Sequence, residues 1–273
     1  MMLNEFEPWL RLGSFAGLLL LFLLWEQAAP RRPREQTRWP RWLRHLLLTS
    51  LNTLLVRALF PLAAVGAALL ADEQGWGLLP RLNLPGWLSL LLAVLALDCL
   101  IYWQHRLFHR VPLLWRLHRM HHTDTELDAT TGVRFHPLEI LLSMGIKLIA
   151  VLVLGASPLA VLIFEVLLSS TSLFNHANIY LPTRLDEMLR RLLVTPDMHR
   201  VHHSVYPKET DSNFGFNLSW WDHLFGSYRA QPQDGHLHMK LGLREFRDPV
   251  EQRLLQLLAQ PFRISTPATK KEP

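Results

Sequence analysis

The sequence predicts an all-α, polytopic membrane helical bundle: three spans plus a membrane-entering helical hairpin, with a cytoplasmic His-rich helical cap. Three observations predict it. Apolar residues, 49% of 273, gather in long Leu-rich runs separated by polar stretches. Arginines collect in one connection between runs. Histidines recur at helical spacing at and beyond the ends of the runs.

The first run, about Trp9 to Trp25, lacks a basic region before it (Glu5 and Glu7 precede it) and ends without a small-residue cleavage site. It reads as a first span and not as a signal peptide. Pro30 to Arg44 carries Arg31, Arg32, Arg34, Arg38, Arg41 and Arg44 against a single Glu35. A second span follows, about Leu46 to Leu70. The next connection holds Asp72, Glu73 and only Arg81. A third span runs from about Gly86 to Trp103. The positive-inside rule then puts the N-terminus outside, the Arg-rich loop inside and the residues after Trp103 on the cytoplasmic side. The net charge of +5 and pI of 9.7 are therefore read as a membrane-surface signal, with no nucleic-acid partner.

The apolar stretch Leu138 to Phe174 is too long for one helix and is broken by Gly155-Ala156-Ser157-Pro158, a strong turn signal. It reads as a hairpin that enters the membrane and returns. Lys147 and Glu165 then lie almost opposite each other, and lone charges at that depth are costly, so they are expected to pair. Beyond it, short amphipathic helices are expected at Leu185 to Val194 and Pro249 to Leu258, the latter capped by Asp248. The tail after Phe262 reads as disordered. Three regions result: the N-terminal spans and Arg-rich loop (1–85), a His-rich di-metal region (86–230), and a C-terminal amphipathic helix with its tail (231–273).

The histidines carry the chemistry. His105 and His109 form HxxxH. His118, His121 and His122 form HxxHH, and His199, His202 and His203 form a second HxxHH. At the chain's His frequency, one HxxHH is expected by chance roughly 0.03–0.04 times. Residues at i, i+3 and i+4 share a helix face, so each motif presents its rings on one stripe. Thr195 as N-cap, Pro196 and Asp197 start the helix that carries the last motif. His136 and His176 flank the hairpin. His45, His223, His236 and His238 are read as ordinary core or surface residues.

Packed imidazoles cannot all be protonated, and a metal resolves the conflict by taking neutral nitrogen lone pairs. Eight to ten ligands imply two ions. An all-nitrogen set suits iron, zinc, copper or nickel; zinc is ordinarily satisfied by four ligands or by three plus water, which favours iron. The single Cys99 excludes a disulfide within the chain and a Cys-based cluster. Asp124, Asp128, Asp197 and Asp222 are expected to accept from ring N–H groups. The competing readings are a His-rich membrane metal transporter and a zinc-dependent hydrolase.

HRLFH (105–109), LHRMHH (117–122), FHP (135–137), FNHANI (174–179), HRVHH (199–203), NFG (213–215) and WDHLFGSY (221–228) resemble the fatty acid hydroxylase superfamily, which includes sterol desaturases and alkylglycerol monooxygenase. The likeness covers roughly Leu95 to Tyr228. It implies a di-iron oxygenase that hydroxylates or desaturates a lipid from the bilayer with dioxygen. It assigns His105, His109, His118, His121, His122, His199, His202 and His203 as ligands, with His136 and His176 at or just behind the metals. Asn213 and Asp222 match motif positions near the site. With no Cys cluster and no room for a cytochrome segment, a separate electron donor or reductase is expected. The site is expected on the cytoplasmic side, in the inner membrane of a bacterium or the endoplasmic reticulum of a eukaryote.

Overall fold

A computed structural model describes residues 2–264, with side chains from Phe6 onward. Among the described residues the chain is helical, with three isolated bridges and no β-strand. Five helices are long and apolar enough to cross a membrane. The chain is integral to a membrane on that evidence. The residues after Ile264, which include most of the tail expected to be disordered, lie outside the described residues.

The first helix, α1 (Met2–Ala28), extends the expected span at both ends. The second run, expected as a span at 46–70, lies within the candidate span Arg38–Arg81 but is not one unbroken helix. α2 (Arg38–Leu59) stops before Phe60-Pro61, and α3 (Ala63–Gln74) starts anew with Ala63 at φ 49°. Pro61 lacks an N–H and crowds the residue before it, so the ladder breaks there. α3 buries Ala64, Ala67, Ala68 and Ala71, small residues that let it lie close against the hairpin. A short turn, α4 (Leu78–Arg81), leads to α5 (Gly86–Arg110). α5 runs past the expected end at Trp103, which puts HxxxH on the spanning helix itself. At Val111 (φ −92°, ψ 117°) the chain turns a corner, and Pro112 opens α6 (Pro112–His122).

The hairpin forms as expected: α7 (Pro137–Leu154) and α8 (Pro158–His176) are joined at Gly155, φ 63°. A Cβ on Gly77 would fall 2.1 Å from the Gly155 nitrogen. The hairpin tip is therefore wedged against the connection after α3, and only glycine permits that approach. Buried Leu97, Ile101, Val151, Val161 and Phe164 fill the space between α3, α5, α7 and α8. Both open ends of the hairpin lie at the same end of the bundle as His105. Lys147 meets Glu165 at 2.6 Å, and Arg11 of α1, which the sequence did not single out, holds the other oxygen at 2.8 Å.

The Arg-rich loop differs from a plain topology signal. Arg31 pairs with Asp197, Arg34 with Glu26, and Arg41 with Asp124 and Glu126, while Arg32 donates to the His236 carbonyl. The loop straps the first two helices to the cap. The expected helix at 185–194 shrinks to α9 (Thr183–Leu189), because the residues after it pair as backbone: Val194 donates to Asn217 O at 3.0 Å. Asp248 does cap, accepting from Val250 N, yet the helix it starts is a 3-10 turn (Pro249–Gln252) separated from Leu254–Ala259 by extended Arg253.

Candidate metal centre

Four pieces of chain bring nine imidazoles together. α5 supplies His105 and His109, one turn apart. α6 supplies His118, His121 and His122 from its last turn. α8 ends on His176. α10 (Pro196–His202), whose N-cap Thr195 accepts from Met198 N, supplies His199 and His202, with His203 directly after it. The nine rings are buried.

They divide into two groups, each with ligand nitrogens within 4.8 Å of one another. The first holds His105, His109, His118, His122 and His202; the second holds His121, His176, His199 and His203. The helical spacing makes this division. In each HxxHH the i and i+4 rings go to one group and the i+3 ring goes to the other. Each motif therefore serves both groups, which adjoin where His122 stacks on His203 at 4.5 Å.

The outward nitrogens decide what the inward ones can be. His105 Nδ1 donates to Phe214 O (2.8 Å), His118 Nδ1 to Glu139 Oε1 (2.7 Å), His121 Nδ1 to Arg134 O (3.3 Å), His176 Nδ1 to Ser172 O (2.7 Å) and His202 Nδ1 to Ser212 O (2.7 Å). A neutral imidazole has one N–H, so each Nε2 is a bare lone pair. Nε2 of His105 faces Nε2 of His118 at 3.1 Å, and that of His121 faces His176 at 3.1 Å. Two lone pairs at that distance repel unless a cation sits among them. His202 Nε2, His109 Nε2 and both nitrogens of His203 are buried without a partner, a costly state that metal ligation would relieve. Protonation is no alternative. Burial and the neighbouring rings hold His121, His122, His199 and His203 far below the ordinary imidazole range, and His202 down to about 3. The donor set fits a pair of metal ions.

His136 is not among the rings. It caps α7 by accepting from Leu138 N (3.2 Å), and its Nε2 donates to Leu258 O (3.2 Å). Of the FHP triplet it is Phe135 that reaches the cluster, stacking on His121 at 4.5 Å. The four aspartates also have other duties than the expected one. Asp124 and Asp128 surround Arg41, the guanidinium holding Asp124 down to about 2; Asp197 binds Arg31 and Arg200. Asp222 accepts from Phe214 N and Gly215 N. Asn213, at φ 51°, donates to Met198 O and Arg229 O. Asp222 and Asn213 thus shape the loop whose Ser212 and Phe214 carbonyls orient His202 and His105. The carboxylate that does touch a motif ring within the core is Glu139. In sequence it reads as an acid in the first turn of an apolar helix, and its reach to His118 is tertiary. Trp115, packed 4.8 Å from His109, was likewise invisible as part of the site.

The fatty acid hydroxylase family model matches residues 90–227, half of the chain. Among curated relatives, an ornithine lipid hydroxylase of Rhizobium tropici is 32% identical over 163 residues, 59% of this chain and 46% of that one. The alkylglycerol monooxygenase of Homo sapiens is 31% identical over 143 residues, 51% and 30% of the two chains. A very-long-chain aldehyde decarbonylase of Oryza sativa subsp. japonica is 29% identical over 206 residues, 70% and 32%. The matched part is less than half the length of each of these relatives. No solved structure matches the chain. The matched residues contain the helices and loops that assemble the nine imidazoles, and the chain belongs to the fatty acid hydroxylase family.

Proposed function

We propose that this protein is a membrane-bound di-iron oxygenase that hydroxylates or desaturates a lipid drawn from the bilayer, using dioxygen and electrons from a separate donor. The observation that carries the reading is the pair of adjoining groups of bare imidazole nitrogens, five and four, at one end of an apolar helical bundle. Neutral nitrogen ligands in that number suit iron better than zinc. A transporter would need ligands along the spans, whereas these rings gather where the spans end. Family membership and the relatives, among them a lipid hydroxylase and a monooxygenase, support oxygenase chemistry on a lipid.

In this reading the five-histidine group and the four-histidine group each hold one iron, and the irons would supply activation of dioxygen for attack on an unactivated C–H bond. The chain's own residues do the rest. Backbone carbonyls of Ser172, Ser212 and Phe214 fix the tautomers. Phe135, Phe214 and Phe216 pack around the rings and exclude water. The bundle's apolar helices orient the lipid chain. The functional division of the chain follows: residues 86–230 carry catalysis, residues 1–85 the first helices and the strap, and the C-terminal region 231–273 contributes a brace through its described residues, up to Ile264. The cytoplasmic location of the site rests on the arginines between Pro30 and Arg44; Arg38 and Arg44, at the start of α2, form no ion pair among the described residues and support it.

The test is metal content and redox spectroscopy of detergent-purified protein beside a His202→Ala variant. Two irons per chain, reduced by dithionite, reoxidised by dioxygen and diminished in the variant, are the expected result. One zinc, or no oxygen-reactive iron after anaerobic reconstitution, would sink the reading.

A further inference from the structure

The two histidine groups are alike in ligand type, but the charged residues behind them are not. Behind the five-histidine group stands Glu139, buried in the first turn of α7, with Oε1 2.7 Å from His118 Nδ1. Its other oxygen is buried and has no partner. No cation among the described residues pairs with it. A second carboxylate, Asp211, reaches His109 of the same group at 3.3 Å, but it is half exposed and solvent screens it. Behind the four-histidine group stands a cation. Arg134 is fully buried, donates to the His121 carbonyl at 3.0 Å and accepts from His121 Nδ1 through its own carbonyl. Its remaining bonds go to Thr123 Oγ1 and Gln252 Oε1, both 2.9 Å and both neutral. Asp124 is the carboxylate whose charge acts on it, but Asp124 is ion-paired with Arg41 at 2.8 Å and not with Arg134. The other ring partners in both groups are backbone carbonyls.

We infer that Glu139 and Arg134 make the two metal positions electrically unequal: Glu139 orients His118 and lowers the reduction potential of the ion in the five-histidine site, while Arg134 raises that of the ion in the four-histidine site. This rests on the di-iron reading above. The physical reason is Coulombic. A buried negative charge two bonds behind a ligand favours the higher oxidation state of the metal, and it makes the ring a stronger donor. A buried positive charge does the reverse. In a dry interior neither is screened as a surface charge would be. The consequence is an order of events: electrons arriving one at a time reduce the four-histidine ion first, and the five-histidine ion is the last reduced and the first oxidised. Glu139 is a positioning residue in this scheme, acting through His118.

The experiment is a redox titration of the full-length, ⁵⁷Fe-loaded protein in detergent, followed by Mössbauer spectroscopy. The protein is compared with Glu139→Gln, Glu139→Leu and Asp211→Asn variants. Glutamine keeps an oxygen for His118 Nδ1 and removes only the charge; leucine removes both. The unaltered protein is expected to show two iron environments with separate midpoints. Glu139→Gln keeps both irons and moves one midpoint upward while the other stays. Glu139→Leu weakens one iron about 10–100-fold, the usual effect of losing such a partner. Asp211→Asn moves neither measurably. A single shared midpoint in the unaltered protein would overturn the inference, and so would a Glu139→Gln variant with both midpoints unmoved or shifted equally. Should the leucine variant fail to fold, the glutamine variant decides alone. A protein that binds no iron at all overturns the oxygenase reading and this inference together; two irons with insensitive midpoints overturn this one alone.

Discussion

Two polar regions are buried equally deeply in this molecule, and they are solved in opposite ways. Around Arg41, three carboxylates converge: Asp124 at 2.8 Å, Glu126 at 3.2 Å and Asp128 at 3.4 Å. The chain supplies both signs of charge, and each carboxylate meets the same guanidinium. Around His118 and His121, nine imidazoles converge with no donor to answer their inward lone pairs. The chain supplies only one half of the interaction. The comparison teaches that burial of polar groups is not by itself a sign of function. A cluster that satisfies itself holds the fold together, and one that cannot is built for something that arrives later.

The largest effect separates true ligands from their neighbours. Under the proposed di-iron oxygenase reading, His176→Ala is expected to lose the metal of the four-histidine site and the oxygenase turnover, whereas His136→Ala keeps both metals and loses only a helix cap, about 1 kcal/mol. Metal analysis and turnover of the two variants, prepared side by side, check this. Equal metal loss in both would erase the distinction between the cluster and its cap.

Next comes the self-satisfied cluster. Arg41→Met leaves buried Asp124 and Asp128 and half-buried Glu126 without their cation and is expected to destabilise the protein by about 3–5 kcal/mol. The readout is the melting temperature in detergent. If the drop is confined to metal loss and the metal-free proteins melt alike, the Arg41 cluster belongs to the site and not to the frame.

Metal removal then sharpens the contrast. Without metal, burial keeps His121, His122, His199 and His203 neutral well below the ordinary imidazole range in the folded chain, and His202 down to about pH 3, while in the unfolded chain they take protons below about 6.5. Stability of the metal-free protein is therefore full above pH 6.5 and falls steadily as pH drops below it. Melting curves of chelator-treated protein between pH 8 and 4.5 test the slope; a flat profile contradicts it.

The smallest effect concerns the charge group inside the bundle. Lys147→Met is expected to cost on the order of 1 kcal/mol, because Arg11 still holds Glu165. A Lys147→Glu, Glu165→Lys swap is not expected to recover stability, since it places the new lysine beside Arg11. Adding Arg11→Glu is expected to restore part of it. A two-residue swap that melts like the unaltered protein would show Arg11 to be idle.

How much of this could be read beforehand varies with how local the cause is. The hairpin was legible because Gly155 to Pro158 breaks a helix by its own stereochemistry. The motif histidines were legible because i, i+3 and i+4 spacing sets a common face without any partner. The break between α2 and α3 had its signal in Pro61, but the hydropathy of the run masked it. The true length of α9 could not be seen, because backbone pairing between 193–194 and 217–218 ends it. The duties of Asp124, Asp128 and Asp197 were misread for a related reason. Asp124 and Asp128 answer Arg41, distant in sequence, and Asp197 answers both distant Arg31 and Arg200 three residues on, because a carboxylate goes to a guanidinium before it goes to a neutral ring.

By itself, then, the sequence determined the helical class, the membrane-seeking runs and the grouping of the eight histidines whose spacing puts them on shared faces. Tertiary structure alone decided that His176 joins them and His136 does not, that the rings divide five and four, and that Glu139 and Arg134 stand on opposite sides of the division. The physical reason is range. Helical spacing and proline stereochemistry act within a few residues and are written in the order of the chain, whereas a hydrogen bond between α6 and α7 exists only once packing has brought the two helices together.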